Sequence, residues 1–223
     1  MMPELPIALV FIVMTVFLLM RYFFSSALFH HFFPSSKKEL IKKDIRRSVE
    51  SSVVFAAMIT IVIWGIQTNR SSIYFDFTEY PLWYGPLSLF LFLALQDTYF
   101  YWTHRLMHMV YFKEIHFAHH ESRNTSAWTS FAFHPVEALI QAIFLPAFLF
   151  TIPIHYSYLI VGLVIMSLFG ITNHIEKEIY PRFLESKLFL ITSNHHQKHH
   201  KRVNKNFGLF FTFWDHMMGT EEN

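Results

Sequence analysis

The chain carries 15 histidines and no cysteine, and most of the histidines stand at ligand spacing. His104-x-x-x-His108 and His116-x-x-His119-His120 follow one another in the run from Asp97 to His120, and His196-x-x-His199-His200 lies near the C-terminus. Residues four apart on a helix share a face, one turn apart. His104 with His108, or His116 with His120, can therefore hold one metal ion. Adjacent helical residues diverge by about 100°, so a helical His-x-x-His-His offers imidazoles to two ions at once. The chain supplies that element twice, which points to a two-metal centre. Neutral imidazole suits iron, zinc, copper and nickel, and spacing alone does not choose among them. An isolated His pair would be read as a surface helix or a satisfied core histidine. Three clusters delivered to one place need another explanation.

The elements that deliver them are apolar. The 223 residues are 53% hydrophobic and 19% aromatic, with 27 Phe, and only 15% are charged. A soluble domain carries about a quarter charged residues, so the deficit signals lipid contact. The absence of cysteine excludes disulfides, thiolate metal sites and iron–sulfur clusters. A net charge of +2 is too small to suggest nucleic acid. The length suits a single membrane domain over 1–223.

Leu5 to Phe24 is long enough to span a bilayer. No basic stretch precedes it and no small-x-small site follows, so a spanning helix is expected rather than a signal peptide. Arg21, near one end, is expected to snorkel. Residues 30–50 are basic, with Lys37, Lys38, Lys42, Lys43, Arg46 and Arg47. Ser36 could cap an amphipathic helix there that faces anionic lipid, and His30 and His31 are read as interfacial. Ser52–Ile66 is the second apolar run. The following segment carries Arg70 as its only basic residue, with Tyr74, Tyr80, Trp83 and Tyr84 as an aromatic belt. Leu82–Trp102 returns and delivers His104 and His108. It contains Asp97, and an acid in such a run is a functional candidate. Val136–Ile152 and Tyr156–Ile171 form a hairpin with Pro153 and His155 at its turn. It ends at His174, in a polar and basic C-terminal segment. By the positive-inside rule, the basic segments and all three His clusters share the cytoplasmic face. The expected fold is an all-α integral membrane bundle of about four to five spanning helices, with a cytoplasmic helical cap that holds a histidine-rich dimetal site.

The clusters also resemble those of the fatty acid hydroxylase superfamily, membrane non-haem di-iron enzymes that include sterol desaturases, methyl sterol oxidases and lipid hydroxylases. The likeness runs from about Leu82 to Thr220, the expected catalytic core. Asp97-x-x-x-Tyr101-Trp102-x-His104-Arg105-x-x-His108 resembles the first histidine box, and His116-Phe-Ala-His119-His120 the second. His134-Pro135-Val-Glu137 is similar to a His-Pro-x-Glu segment, Asn173-His174 to an isolated histidine, and His196-Gln-Lys-His199-His200 to the third box. The tail from Asn206-Phe-Gly208 through Trp214-Asp215 to Gly219-Thr220 resembles the family ending. By this match the metal ligands are His104, His108, His116, His119, His120, His174, His196, His199 and His200. Some relatives have a further His where this chain has Gly170. A tenth ligand would come from His134, His195, Asn173 or water. The resemblance implies two Fe ions, replaceable by zinc, with O2 as co-substrate and an unactivated lipid C–H as target. The His-Pro-x-Glu segment and the tail favour the sterol-desaturase-like branch. The lipid would enter from the bilayer, and electrons would come from a separate ferredoxin- or cytochrome b5-like protein.

Support for the ligands is expected from Asp97, Tyr101, His134, Glu137 and Asn173. Asp97, Tyr101, His104 and His108 share one helical stripe, so Asp97 could accept from a ligand imidazole directly or through Tyr101. Pairing of Asp97 with Gln96 or Gln141 is the competing reading. Glu137, one turn beyond His134, could orient that histidine. Arg105, Lys113 and Arg123 are expected to be solvated or to touch lipid headgroups, and His195 and His216 to be non-ligands. Two rival functions remain on sequence grounds: a metal transporter or sensor, and a membrane protein with a structural zinc site.

Overall fold

A computed structural model of the protein describes residues 5–35, 41–109, 111–181, 183–184 and 190–222. It is all-helical apart from one two-residue strand pair. In chain order, among the described residues, the helices with defined bounds are α1 (Ile7–Phe32), α2 (Ile41–Gln67), α3 (Tyr84–Met107), α4 (Lys113–His120), α5 (Pro135–Leu149), α6 (Tyr156–Thr172), α7 (Ser193–Lys201) and α8 (Phe213–Met217). β1 (Ile73–Tyr74) pairs in parallel with β2 (Ile154–His155), tying together the two loops at the end away from the histidine clusters.

The helix starts are written in the sequence. His134 caps α5 by accepting from the Val136 N–H, with Pro135 at the first position, where its missing N–H costs nothing. His155 caps α6 by accepting from the Ser157 N–H, and Thr192 caps α7 by accepting from the His195 N–H.

In the bundle α2 lies between α1 and α5, and α3 packs on α5 and α6. Apart from Asp44 and Val62, the buried residues of α2 are small, Ser48, Ser51, Ser52, Ala56, Thr60 and Gly65, and small side chains let helices approach closely. The apolar core centres on Phe92, which is fully buried and meets Phe148 edge-on at 5.1 Å. Gly162 of α6 makes room for it: a Cβ there would lie 2.7 Å from Phe92 Cδ1. Gly162→Ala should cost about 1–3 kcal/mol through overpacking, read as a lower thermal midpoint in detergent. An unchanged midpoint would show that α3 and α6 can separate freely.

The outer surface is apolar. Helix α1 buries only Val10, Leu18, Tyr22 and Ser26, and turns Ile12, Phe17, Met20 and Phe24 outward. A continuous apolar face of this size marks a surface that meets a membrane or another protein. Helices α1 and α2 are both long and apolar enough to cross a bilayer, and the protein is a membrane protein.

Two local expectations are corrected. Arg21 does not snorkel: Nη1 donates to Ser167 Oγ at 3.0 Å and the guanidinium lies 4.4 Å over the Phe131 ring, because α6 and the loop before α5 close around it. Residues 41–50 are not a separate lipid-facing helix. They are the first turns of α2, with Asp44 and Ser48 turned inward, while the expected start at Ser36 lies outside the described residues. Arg47 pairs with Glu121 at 2.8 Å and donates to the Ala118 carbonyl, and so faces protein. As the shared stripe of Asp97, Tyr101, His104 and His108 requires, α3 continues past the apolar run to Met107, with His104 in its last turn and His108 at its C-cap.

Loop 121–134 is buried between α1, α2 and the histidines. Tyr22 and Ser48 donate to the Trp128 carbonyl, Ser26 to the Ala127 carbonyl and Ser51 to the Phe133 carbonyl. Asp44 accepts from Ser122 at 2.7 Å and from Thr129 at 2.8 Å. A buried loop needs such partners for its polar groups, and Asp44 is a support that sequence reasoning missed.

Candidate metal centre

The three boxes and His174 converge at one end of the bundle. Their imidazoles form two groups, each with its nitrogens within 4.8 Å of one another: His104, His108, His116, His120 and His199 in one, His119, His174, His196 and His200 in the other. The sorting is reciprocal. Helix α4 sends its i,i+4 pair, His116 and His120, to the five-imidazole group and His119 to the four-imidazole group. Helix α7 sends His196 and His200 to the four and His199 to the five. Each His-x-x-His-His therefore serves both groups, as its helical geometry requires.

The tautomers follow from the far nitrogen of each ring. Nδ1 of His104 lies 2.8 Å from the Phe207 carbonyl, that of His174 2.6 Å from the Gly170 carbonyl and that of His199 2.6 Å from the Lys205 carbonyl. Nδ1 of His119 lies 3.4 Å from the Ala132 carbonyl, and that of His116 lies 2.6 Å from Glu137 Oε1. A carbonyl can only accept, and a carboxylate is the natural acceptor for His116, so each Nδ1 carries the proton and each Nε2 presents a lone pair. Yet His104 Nε2 faces His116 Nε2 at 3.0 Å, and His119 Nε2 faces His174 Nε2 at 3.2 Å. Each group thus contains two lone pairs pointed at each other in a buried space. A cation between them removes that conflict.

The spacing fits a metal ion. Between neighbouring rings the closest Nε2···Nε2 contacts run from 2.9 Å for His116–His120 to 3.2 Å for His196–His200, and all ligand nitrogens of a group lie within 4.8 Å of one another. Imidazoles bound at about 2.1 Å and at right angles to one another place their nitrogens about 3.0 Å apart, against about 3.4 Å for a tetrahedron. Burial, reinforced by the neighbouring imidazoles, lowers the proton affinity of His116, His119, His196, His199 and His200 far below normal. All remain neutral, as ligands must be.

Sequence comparisons agree with this geometry. The fatty acid hydroxylase family model matches residues 89–220, more than half of the chain. The chain belongs to that family. It is 27% identical to human lathosterol oxidase over 194 residues, 83% of this chain and 64% of that protein. It is 31% identical to mouse lathosterol oxidase over 153 residues, 67% of this chain and 50% of the relative. A Delta(7)-sterol 5(6)-desaturase of Gibberella zeae is 28% identical over 185 residues, 81% and 57% of the two chains. The chain therefore spans about half to two thirds of the length of these relatives. No solved structure matches it.

In this fatty acid hydroxylase family member, the residues expected to support the ligands act differently from expectation. Glu137 reaches His116, not His134, because α4 packs against α5; His134 caps α5 instead. Asp97 touches no ligand imidazole. Its Oδ1 accepts the backbone N–H groups of Leu209, Phe210 and Phe211, because the C-terminal tail lies between it and the site. Gln96 and Gln141 are not its hydrogen-bond partners. Tyr101 bonds Thr220 at 2.9 Å, and Asn173 donates to the Leu209 carbonyl at 3.2 Å. His195 Nε2 lies 3.9 Å from Asp215. Arg105 is not only solvated: it donates to the Tyr101 hydroxyl at 3.2 Å. Sequence reasoning missed the carbonyls of Ala132, Gly170, Lys205 and Phe207 as acceptors, and it noticed Asp215 only through the tail motif.

Burial also sets a pH dependence. His174 is pushed down from 6.5 to about 4 and His120 from 6.5 to about 3. Below 6.5 the unfolded chain takes up protons that the fold refuses until those lower values, so stability is full above 6.5 and falls as pH drops towards 4. The thermal midpoint in detergent should be flat above pH 7 and decline steeply from 6.5 to 4, with loss of bound metal. A flat profile across that window would contradict neutral, buried imidazoles.

Proposed function

We propose that this protein is an O2-dependent di-iron oxidoreductase that desaturates or hydroxylates a membrane lipid, sterol-like or fatty-acyl, at an unactivated C–H. The observation that carries this is the pair of opposed-lone-pair imidazole groups, five and four, at one end of a lipid-facing bundle. Residues 1–223 act as one membrane domain of four to five spans, with residues 82–220 as the catalytic core. The histidine end and the C-terminus face the cytoplasm, at the bacterial inner membrane or the endoplasmic reticulum. The relatives' names point to the sterol-desaturase branch.

His104, His108, His116, His120 and His199 would hold one iron, and His119, His174, His196 and His200 the other. Iron there supplies, with O2, the power to take hydrogen from an unactivated C–H. The protein keeps the imidazoles neutral and aimed through their Nδ1 bonds. Phe207, with its ring 5.3 Å from His108 and 5.6 Å from His104, and Phe133, 5.0 Å from His119, keep water away. His108 is the one partly exposed ligand, so the approach lies on its side. Electrons come from a separate ferredoxin- or cytochrome b5-like protein.

A structural zinc site is four-coordinate and tetrahedral, which a group of five converging imidazoles does not match. A transporter would string ligands along a path through the bundle, whereas both groups sit at one end. The test is metal analysis of protein purified from iron-replete cells, with O2 consumption on added lipid and lipid profiling of cells with and without the gene. About two iron ions per chain and a lost or altered lipid class are expected. Purified protein that takes up no metal, or iron-loaded protein that consumes no O2 with any lipid, would overturn the proposal.

A further inference from the structure

We infer that Asp97 and Asp215 are positioning residues for one ion only, the one held by His104, His108, His116, His120 and His199. This rests on the two-metal reading above.

The tail after α7 folds around two buried carboxylates. Asp97 Oδ1 accepts the N–H groups of Leu209 at 3.2 Å, Phe210 at 2.7 Å and Phe211 at 3.2 Å. Asp215 accepts those of Phe207 at 2.8 Å and Gly208 at 2.9 Å. Together they take every backbone N–H from 207 to 211. A charged acceptor makes hydrogen bonds roughly twice as strong as a neutral one, so this segment is held rigidly. Gly208 is required in it: a Cβ there would lie 2.5 Å from the Phe211 carbonyl and 3.1 Å from Asp215 Oδ2.

The rigid segment presents carbonyls to one group of imidazoles. Phe207 offers its oxygen to His104 Nδ1, and Lys205, just before it, offers its own to His199 Nδ1. Both histidines belong to the five-imidazole group. The corresponding carbonyls of the other group come from Ala132 and Gly170, in the loop before α5 and in α6. The Nδ1 acceptors of the two groups thus come from separate segments, and the tail meets the four-imidazole group only through the neighbours of its ligands, Asn173 donating to the Leu209 carbonyl at 3.2 Å and Asn206 to the His195 carbonyl at 3.1 Å.

Helix α3 closes the arrangement on itself. Arg105 donates to the Tyr101 hydroxyl, which bonds Thr220, which donates to Asp215 at 2.8 Å. Thr98 accepts from Trp214 Nε1 at 3.0 Å. The helix that ends in His104 thus also anchors the tail that orients His104.

The test counts ions per chain in full-length protein purified in detergent. Asp97→Leu should lower the count from two to one. Adding His104→Ala to it should change nothing further, whereas adding His119→Ala should remove the remaining ion. Asp97→Asn keeps an acceptor oxygen and should keep both ions, with about 10- to 100-fold weaker retention of one against a chelator. Gly208→Ala should behave like Asp97→Leu. The retained ion shows that the variants are folded. If Asp97→Leu fails to fold, Asp97→Asn and Gly208→Ala carry the same decision. Asp97→Leu that keeps two tightly held ions, or variants that lose both ions together, would overturn the inference while leaving the two-metal reading intact. Wild-type protein that binds no metal would overturn both.

Discussion

His119→Ala is expected to reduce lipid oxidation to background and to leave one bound ion where the wild type holds two. His119 joins His174, His196 and His200, so its loss leaves three imidazoles in that group. Its helix neighbours His116 and His120 belong to the other group, and α4 is a short helix outside the long apolar ones. The substitution should therefore spare the five-imidazole group and the membrane insertion of the chain. Removing His119 also relieves the facing lone pairs of His119 and His174 at 3.2 Å. The apo variant should accordingly be no less thermostable than the apo wild type, while the metal-loaded wild type exceeds both, because an ion bound only by the fold stabilises it. Phe117→Ala, on the exposed side of the same helix, is the control and should keep two ions and activity. The measurements are metal content, product formation and thermal midpoint with and without a chelator. Wild-type turnover by His119→Ala would remove that residue from the site.

The sorting of imidazoles was legible because it depends on helical periodicity alone. His-x-x-His-His on any helix sends its outer pair one way and its middle member another, and both α4 and α7 obey this. The apolar runs likewise marked the long helices, with ends shifted by a few residues where polar side chains continue a helix, as in α3 and α2. What holds the imidazoles was less legible, for a physical reason. Four of the five Nδ1 acceptors are backbone carbonyls, and every residue has one, so residue type carries no signal. Asp97 was recognised as an acid out of place, yet its partners are three N–H groups more than a hundred positions away. Asp44 was hidden in a basic run whose charges suggested a lipid-facing surface. Arg21 was assigned to the interface because its depth in the helix cannot be separated from its packing without α6 and loop 121–134.

Among the described residues Glu137 is the one carboxylate hydrogen-bonded to a ligand imidazole, and replacing it should separate its two contributions. Its Oε1 accepts a hydrogen bond from Nδ1 of His116 at 2.6 Å in a fully enclosed position. That bond fixes the orientation of the ring, and with a cation held beside His116 an ionised Glu137 would make it a more basic ligand. Glu137→Gln keeps an acceptor oxygen and removes the charge. Glu137→Leu removes both and leaves a buried N–H without a partner, a loss of about 1–3 kcal/mol. Retention of the ion at the five-imidazole group should therefore fall in the order Glu, Gln, Leu, with the leucine variant about 10- to 100-fold weaker than wild type. The ion at His119, His174, His196 and His200 should be unaffected, since its Nδ1 acceptors are carbonyls of other segments. Chelator titration of iron-loaded protein resolves the two ions as a weak and a strong phase, and only the phase assigned to His116 should move. Equal behaviour of the Gln and Leu variants would mean that charge, and not the accepted hydrogen bond, is what Glu137 contributes. Equal behaviour of Gln and wild type would mean the reverse, because in that case the oxygen alone holds the ring and the charge is spent on the neighbouring protein.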